Sequence, residues 1–243
     1  MGNTIDPKAF SLAVDAVKRT LHCLSDLGCD ALSCSGESLE ILSHWGKPTP
    51  LKKRVQSPEG ISKIHADWGN CRRCALFETR NQRVFGEGNA HARLMLIGDV
   101  PAVDDDRMGR AFMGEPGQLL DNMIKAMGLS REQVYITHVV KCRPPSNRHP
   151  LAMEIQACIP CLKKQIAAVH PDVICTLGAI ATQALLGQTK DVAGLRGRFH
   201  PYGLAKIIPT FHPALLLRKP EHKRQAWEDL KKIMEALGLP GKR

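Results

Sequence analysis

No apolar run in this chain approaches the ~20 residues that a membrane-spanning helix needs, so a membrane role is not expected. The N-terminus, MGNTIDPKAF, lacks the basic start and apolar core of a secretion signal, and the expected location is cytoplasmic. No internal repeat or low-complexity tract occurs, which argues against solenoids and compositionally biased arrays. Acidic residues are the scarcer charge: 24 Asp and Glu against 34 Lys and Arg leave a formal net charge of +10. That balance favours polyanionic partners, of which nucleic acid is the commonest. Cysteine, by contrast, is plentiful at nine residues, and without a secretion signal this argues against a disulfide framework. Cys23, Cys29, Cys34 and Cys175 sit among apolar neighbours and read as ordinary buried thiols.

With 243 residues the chain can hold one well-cored domain and an extension. Residues 1–45 read as a helical N-terminal extension. Asp6-Pro7 can start a helix, Phe10, Val14, Val17, Leu21 and Leu24 repeat at helical spacing, and Gly28 can stop it. A second short helix is expected over Leu39–Trp45. Residues 46–60, GKPTPLKKRVQSPEG, read as a Pro- and Lys-rich linker whose Lys52, Lys53 and Arg54 either touch DNA or are simply solvated.

The remainder, 61–243, has the pattern of an α/β domain with a largely parallel four-stranded sheet flanked by helices. Four short apolar runs read as buried strands: Arg93–Gly98, Val134–Val140, Val173–Gly178 and Lys206–Phe211. Helical stretches over Gln118–Met127, Glu154–Val169, Ala179–Leu186 and Glu221–Leu237 alternate with or succeed them. Ligands of open parallel sheets bind outside the carboxyl ends of the strands. The residues just past each strand are therefore informative. They are Gly98-Asp99-Val100-Pro101-Ala102 and the run Asp104-Asp105-Asp106, then His138 and K-C-R-P-P, then Leu177-Gly178-Ala179, then Phe211-His212-Pro213. Carboxylates, two histidines and glycine turns are expected to converge on one edge.

Cys71 and Cys74 form a C-R-R-C, while Cys142 and Cys158 stand far downstream in K-C-R-P-P and Q-A-C. Four such thiolates suit either Zn²⁺ or a [4Fe–4S] cluster, and spacing does not separate the two. Cys161, three residues after Cys158, is a competing ligand on the same helix face.

These motifs resemble the family 4, iron–sulfur uracil-DNA glycosylases. The family has G-E-A-P-G, then an acidic segment and G-R-P-F-V-G-x-x-G-Q-L-L, and this chain reads GDVPA, then DDDRMGRAFMGEPGQLL. The family's T-N-x-V-K-C-R-P-P stands here as THVVKCRPP, and its H-P-(S/A)-x-x-L-R as HPALLLR from His212 to Arg218. The resemblance runs from about Ile61 to Leu237.

The resemblance implies a uracil-DNA glycosylase-like fold and a repair enzyme that flips a base out of DNA and hydrolyses its N-glycosidic bond. Uracil or another deaminated base in DNA is the expected substrate; a catalytically weak damage-binding protein is the alternative. The resemblance favours a [4Fe–4S] cluster on Cys71, Cys74, Cys142 and Cys158 over zinc. His212 is the expected donor to the departing base, Asp105 the expected carboxylate, and Asp99 the second choice. Gly98, Asp99, Val100, Pro101, Ala102, Phe112 and His138 are expected to contact the base, with Phe112 stacking on it. Arg143, Arg148 and Arg218 are expected on phosphates, and Leu215, Leu216 and Leu217 as a wedge in the minor groove. A monomer is expected, with a repair or replication partner reached through the N-terminal extension.

Three positions depart from the family pattern. Asp99 replaces glutamate and retracts its carboxylate by one methylene. Ala102 replaces a glycine and adds a methyl. His138 stands where many members have asparagine, which puts base specificity in question, hypoxanthine and xanthine included.

Overall fold

The computed structural model describes residues 58–187 and 191–240. The two expected N-terminal helices, the Lys52-Lys53-Arg54 cluster and the thiols of Cys23, Cys29 and Cys34 lie outside the described residues. Helix α1 (Pro58–Asp67) begins three residues before the expected domain start.

All four expected strands are present. β2 (Leu94–Gly98), β3 (Tyr135–His138), β4 (Val173–Leu177) and β6 (Ala205–Thr210) form a parallel block in the order β3-β2-β4-β6. The sheet has six strands, however, and is mixed. The two-residue β1 (Glu87–Gly88) pairs antiparallel with β3, and β5 (His200–Tyr202) pairs antiparallel with β6. Both edge strands are too short and too polar to carry an apolar alternation. They are strands only because a neighbour offers them a ladder.

The helices obey the expected periods, with corrections at their starts. α2 (Val103–Met108) is an additional helix in the acidic run, where three aspartates suit a helix's first turn. α3 (Gly114–Ala126) starts four residues before Gln118, because Pro116 is tolerated in a first turn. α4 spans Ala152–Val169 and α5 Ala179–Leu186. The short helices α6 (Val192–Leu195) and α7 (Pro213–Arg218) precede the closing α8 (Lys223–Leu237).

Alternation along the strands divides the core in two. Leu94 and Leu96 face one side with Leu120, Ile124, Leu230 and Ile233 of α3 and α8. Met95 and Ile97 face the other with Leu162, Ile166 and Ala181 of α4 and α5. Cys175 is fully buried, as its apolar setting implies.

The register aligns the strand ends. Gly98 lies opposite His138 on one side and Leu177 on the other, and Leu177 lies opposite Thr210. The residues just past this row, Asp99, Gly178, Phe211 and His212, therefore leave the sheet along one edge. The chain reverses its direction of strand addition across β2, the place where open α/β sheets form a crevice.

Candidate active site and cysteine pocket

At the end of β2, Gly98 sits beneath two rings. A Cβ there would lie 2.4 Å from Phe112 Cζ and 2.8 Å from His138 Cδ2. The missing side chain lets both rings reach the strand end. Phe112 stacks on His138 with centroids 4.6 Å apart, and its centroid lies 5.5 Å from that of His212. Phe112 holds a left-handed backbone, φ +54°, and is nearly buried.

That strained turn is held by Asp105. One of its oxygens accepts from Met113 N at 2.6 Å and the other from Ala102 N at 3.1 Å. Asp105 is buried, and burial raises its pKa against these amide bonds. Its carboxylate also faces His138 Nε2 at 3.5 Å. Burial, then the charge of Lys141, drives the His138 pKa well below the usual imidazole value. His138 is therefore neutral, and Nε2 is the ring nitrogen that faces Asp105. Its buried Nδ1 has no hydrogen-bond partner among the described residues.

Asp99 is placed differently. Its Oδ1 accepts from Ala181 N at 2.7 Å, in the first turn of α5. Gly178, at φ +110°, leaves room for it: a Cβ there would lie 2.4 Å from Asp99 Oδ2. Burial outweighs the amide donors and raises the Asp99 pKa to about 7.

His212 caps α7. Its Nδ1 accepts from Ala214 N at 3.1 Å, so the ring proton sits on Nε2. Burial, then the charge of Arg218, lowers its pKa to about 4. The ring is thus a neutral Nε2–H donor at ordinary pH. Other expected contacts sit at the margins: Val100 is half-buried, Pro101 is buried, and Ala102 is exposed with its amide taken by Asp105.

The DNA-facing candidates separate. Arg148 forks onto Glu154 with contacts of 2.6 and 2.9 Å, so its guanidinium is already engaged. Arg143 bonds Asn147 Oδ1 at 2.9 Å. Arg218 is exposed at the end of α7, bonded to Ala214 O. Leu216 is buried in the core, because the helix turns it inward with Pro213, whereas Leu215 and Leu217 are half-buried.

The cysteines do converge. Cys71, Cys74, Cys142, Cys158 and Cys161 line one pocket, with Trp68, Arg73, Arg80, Arg83 and Lys141 among its other walls. None of the five is in a disulfide. Arg80 donates to Cys142 Sγ at 3.1 Å. Among the described residues no three Cys, His, Asp or Glu side chains close on a point as a single metal ion requires. Sequence reasoning missed Lys141. It is buried, lines this pocket, and donates to Thr137 Oγ1 at 2.6 Å and to the His138 carbonyl. Burial lowers its pKa to about 8, and no carboxylate pairs with it among the described residues. Only its place between Val140 and Cys142 in the sequence hinted at this.

Comparison with known proteins agrees with this geometry. The family model of the Uracil DNA glycosylase superfamily matches residues 85–231. A type-4 uracil-DNA glycosylase of Saccharolobus solfataricus is 40% identical over 188 residues, covering 74% of this chain and 87% of the relative. One from Thermotoga maritima is 42% identical over 175 residues, covering 70% and 91%. One from Sulfurisphaera tokodaii is 38% identical over 191 residues, covering 75% and 87%. With its strand ends, its histidines and its cysteine pocket in this order, the chain belongs to the uracil-DNA glycosylase superfamily, in the type-4 branch.

Proposed function

We propose that this protein is a DNA repair enzyme that hydrolyses the N-glycosidic bond of uracil, or of a related deaminated base, in DNA and leaves an abasic site. Family membership supports the reaction class. The observation that carries the catalytic reading is the bond from Ala214 N to His212 Nδ1, because it fixes the tautomer. Nothing favours the alternative of a damage-binding protein without activity.

The flipped base enters beside Phe112, where base–aromatic stacking contributes roughly 1–3 kcal/mol. As the glycosidic bond breaks, electrons move onto the base and the sugar becomes cationic. His212 Nε2–H donates to the base oxygen that gains charge. A neutral imidazole does this without surrendering its proton, the logic of a preorganised donor. Asp99, ionised above about pH 7, favours the cationic sugar and orients water. Asp105 has the weaker claim to that role, since both its oxygens are committed to amides. It positions Phe112 and His138 instead.

His138 offers the base a bare acceptor at Nδ1. Uracil presents an N3–H donor and is accepted; cytosine presents a lone pair at N3 and is refused. Arg143 and Arg218 contact phosphates, Leu215 and Leu217 flank the opened duplex, and Arg148 braces the loop through Glu154.

The cysteine pocket suits a [4Fe–4S] cluster better than zinc. Its thiols surround a pocket rather than a point among the described residues, and the buried ammonium beside them, with no carboxylate partner among those residues, suits an anionic thiolate centre of either kind. Cys71, Cys74, Cys142 and Cys158 would hold the cluster, which when bound supplies metal–thiolate cross-links between the segment after α1, the loop after β3 and α4. Residues 1–60 are proposed to recruit a repair or replication partner to a monomeric, cytoplasmic enzyme; deleting them without loss of partner binding would remove that part.

Strand-scission assays on single- and double-stranded oligonucleotides carrying uracil, hypoxanthine or xanthine test the activity. Alkali-labile sites at uracil are expected. Release of none of the three bases at high enzyme concentration would sink the proposal.

A further inference from the structure

Lys141 touches two sites that the fold otherwise keeps apart. It lies just past the strand that ends in His138 and precedes Cys142. Its side chain, 2% exposed, lines the cysteine pocket. The same ammonium donates back to the Thr137 hydroxyl and the His138 carbonyl at the end of β3. Thr137 in turn donates to the Phe85 carbonyl at 2.8 Å, which also accepts from Gln165 Nε2 on α4, one turn beyond Cys161. These oxygens are neutral, and no acidic side chain pairs with the lysine among the described residues. A buried charge is tolerated when something of opposite sign lies close to it. Among the described residues, the thiols of the cysteine pocket are the groups beside Lys141 that can supply that charge.

We propose that Lys141 is a positioning residue that ties the cysteine pocket to the base-reading end of β3. Its ammonium balances thiolate charge on one side and holds the Thr137 hydroxyl and the His138 carbonyl on the other. Loading the pocket thereby sets the orientation of His138, and with it base recognition. The proposal rests on the reading of the cysteines as cluster ligands and of His138 as a base contact.

The groups that face Lys141 define what a substitution changes. Arg83 and Arg80 also line the pocket and remain in a Lys141 variant, so the pocket stays basic. Lys141→Met removes the charge and the donors while keeping an unbranched apolar stem. Lys141→Arg keeps the charge. Thr137→Val keeps the charge at the pocket and removes the hydroxyl that accepts from Lys141 and donates to the Phe85 carbonyl.

The experiment uses the full-length holoprotein purified without oxygen. Three readouts are taken: iron and sulfide content with the cluster's reduction potential, the ¹⁵N shifts of His138, and kcat and KM for uracil release. Lys141→Met is expected to lower iron affinity about 10–100-fold, as loss of an outer-sphere partner of metal ligands commonly does. In the cluster it retains, the potential moves to more negative values, because a nearby cation stabilises the more reduced, more negative state. Lys141→Arg restores the potential toward wild type. Thr137→Val leaves iron and potential unchanged but shifts the His138 resonances and lowers kcat. An iron-free wild type overturns the cluster reading and this inference with it. An iron-replete wild type whose potential is unmoved by Lys141→Met overturns the inference alone. If Lys141→Met does not fold, the Thr137→Val variant decides: unchanged His138 shifts and kcat overturn the coupling.

Discussion

The backbone N–H of Ala214 donates to Nδ1 of His212 at 3.1 Å, and this one bond settles which nitrogen carries the ring proton. His212→Ala removes the Nε2–H donor and is expected to lower single-turnover uracil release by about 10²–10³-fold, the usual cost of losing one oxyanion donor. Substrate affinity, measured by fluorescence anisotropy with an uncleavable analogue, should change far less.

The two catalytic candidates predict the pH profile. His212, with its pKa lowered to about 4, stays neutral through the working range and imposes no limb there. Asp99 must ionise, so kcat is expected to rise with pH and level off above about 7. Asp99→Asn abolishes that limb as well as most of the rate. A profile flat from pH 5 to 9 in the wild type contradicts the role of Asp99.

The same residue predicts a stability effect of opposite direction. Its folded pKa lies above its unfolded value, so the folded state holds the proton more tightly than the unfolded chain. Stability is lost as pH rises from about 4 to about 7, where Asp99 must ionise inside the protein. Asp99→Asn should therefore raise the melting temperature at pH 8, with the gain shrinking to nothing near pH 4. Thermal melts at the two pH values check this.

Much of this site was legible in the sequence, and the reasons are local. The four central strands are buried on both faces, so they appear as unbroken apolar runs such as Leu94–Ile97. The shared edge of Asp99, His138 and His212 followed from those runs, while the roles proposed for these residues came from the family resemblance. The edge strands Glu87–Gly88 and His200–Tyr202 were not legible, because pairing with a neighbour rather than composition makes them strands. The family resemblance singled out Asp105, but its bracing contacts were hidden: nothing in three consecutive aspartates says which one will reach back to Ala102 and forward to Met113. Leu216 is turned inward by a six-residue helix, so it packs in the core instead of joining the wedge expected of Leu215–Leu217. The Arg148–Glu154 pair and the burial of Lys141 depend on tertiary packing and have no sequence period.

The arginines separate by what they already hold. Arg143→Ala and Arg218→Ala should each weaken DNA binding across sequences and reduce the salt slope by about 1, the signature of a lost phosphate contact. Arg148→Ala leaves Glu154, itself 2% exposed, without its partner, so its main effect should be on stability. Anisotropy titrations at several salt concentrations, beside thermal melts, distinguish the two outcomes.

On the reading proposed above, His138 sets the base preference. Its Nδ1, unpartnered among the described residues, would accept from a ring N–H and nothing more, whereas an asparagine amide presents a donor and an acceptor together. His138→Asn is expected to raise kcat/KM for uracil relative to hypoxanthine. An unchanged ratio contradicts the reading of Nδ1.

The most direct test of the account is uracil release from a single-stranded oligonucleotide by stoichiometric wild-type enzyme, run beside His212→Ala. The account predicts free uracil and an abasic site with the wild type and a rate at least ~10²-fold lower in the variant. No uracil from the wild type, or equal rates from both proteins, contradicts it.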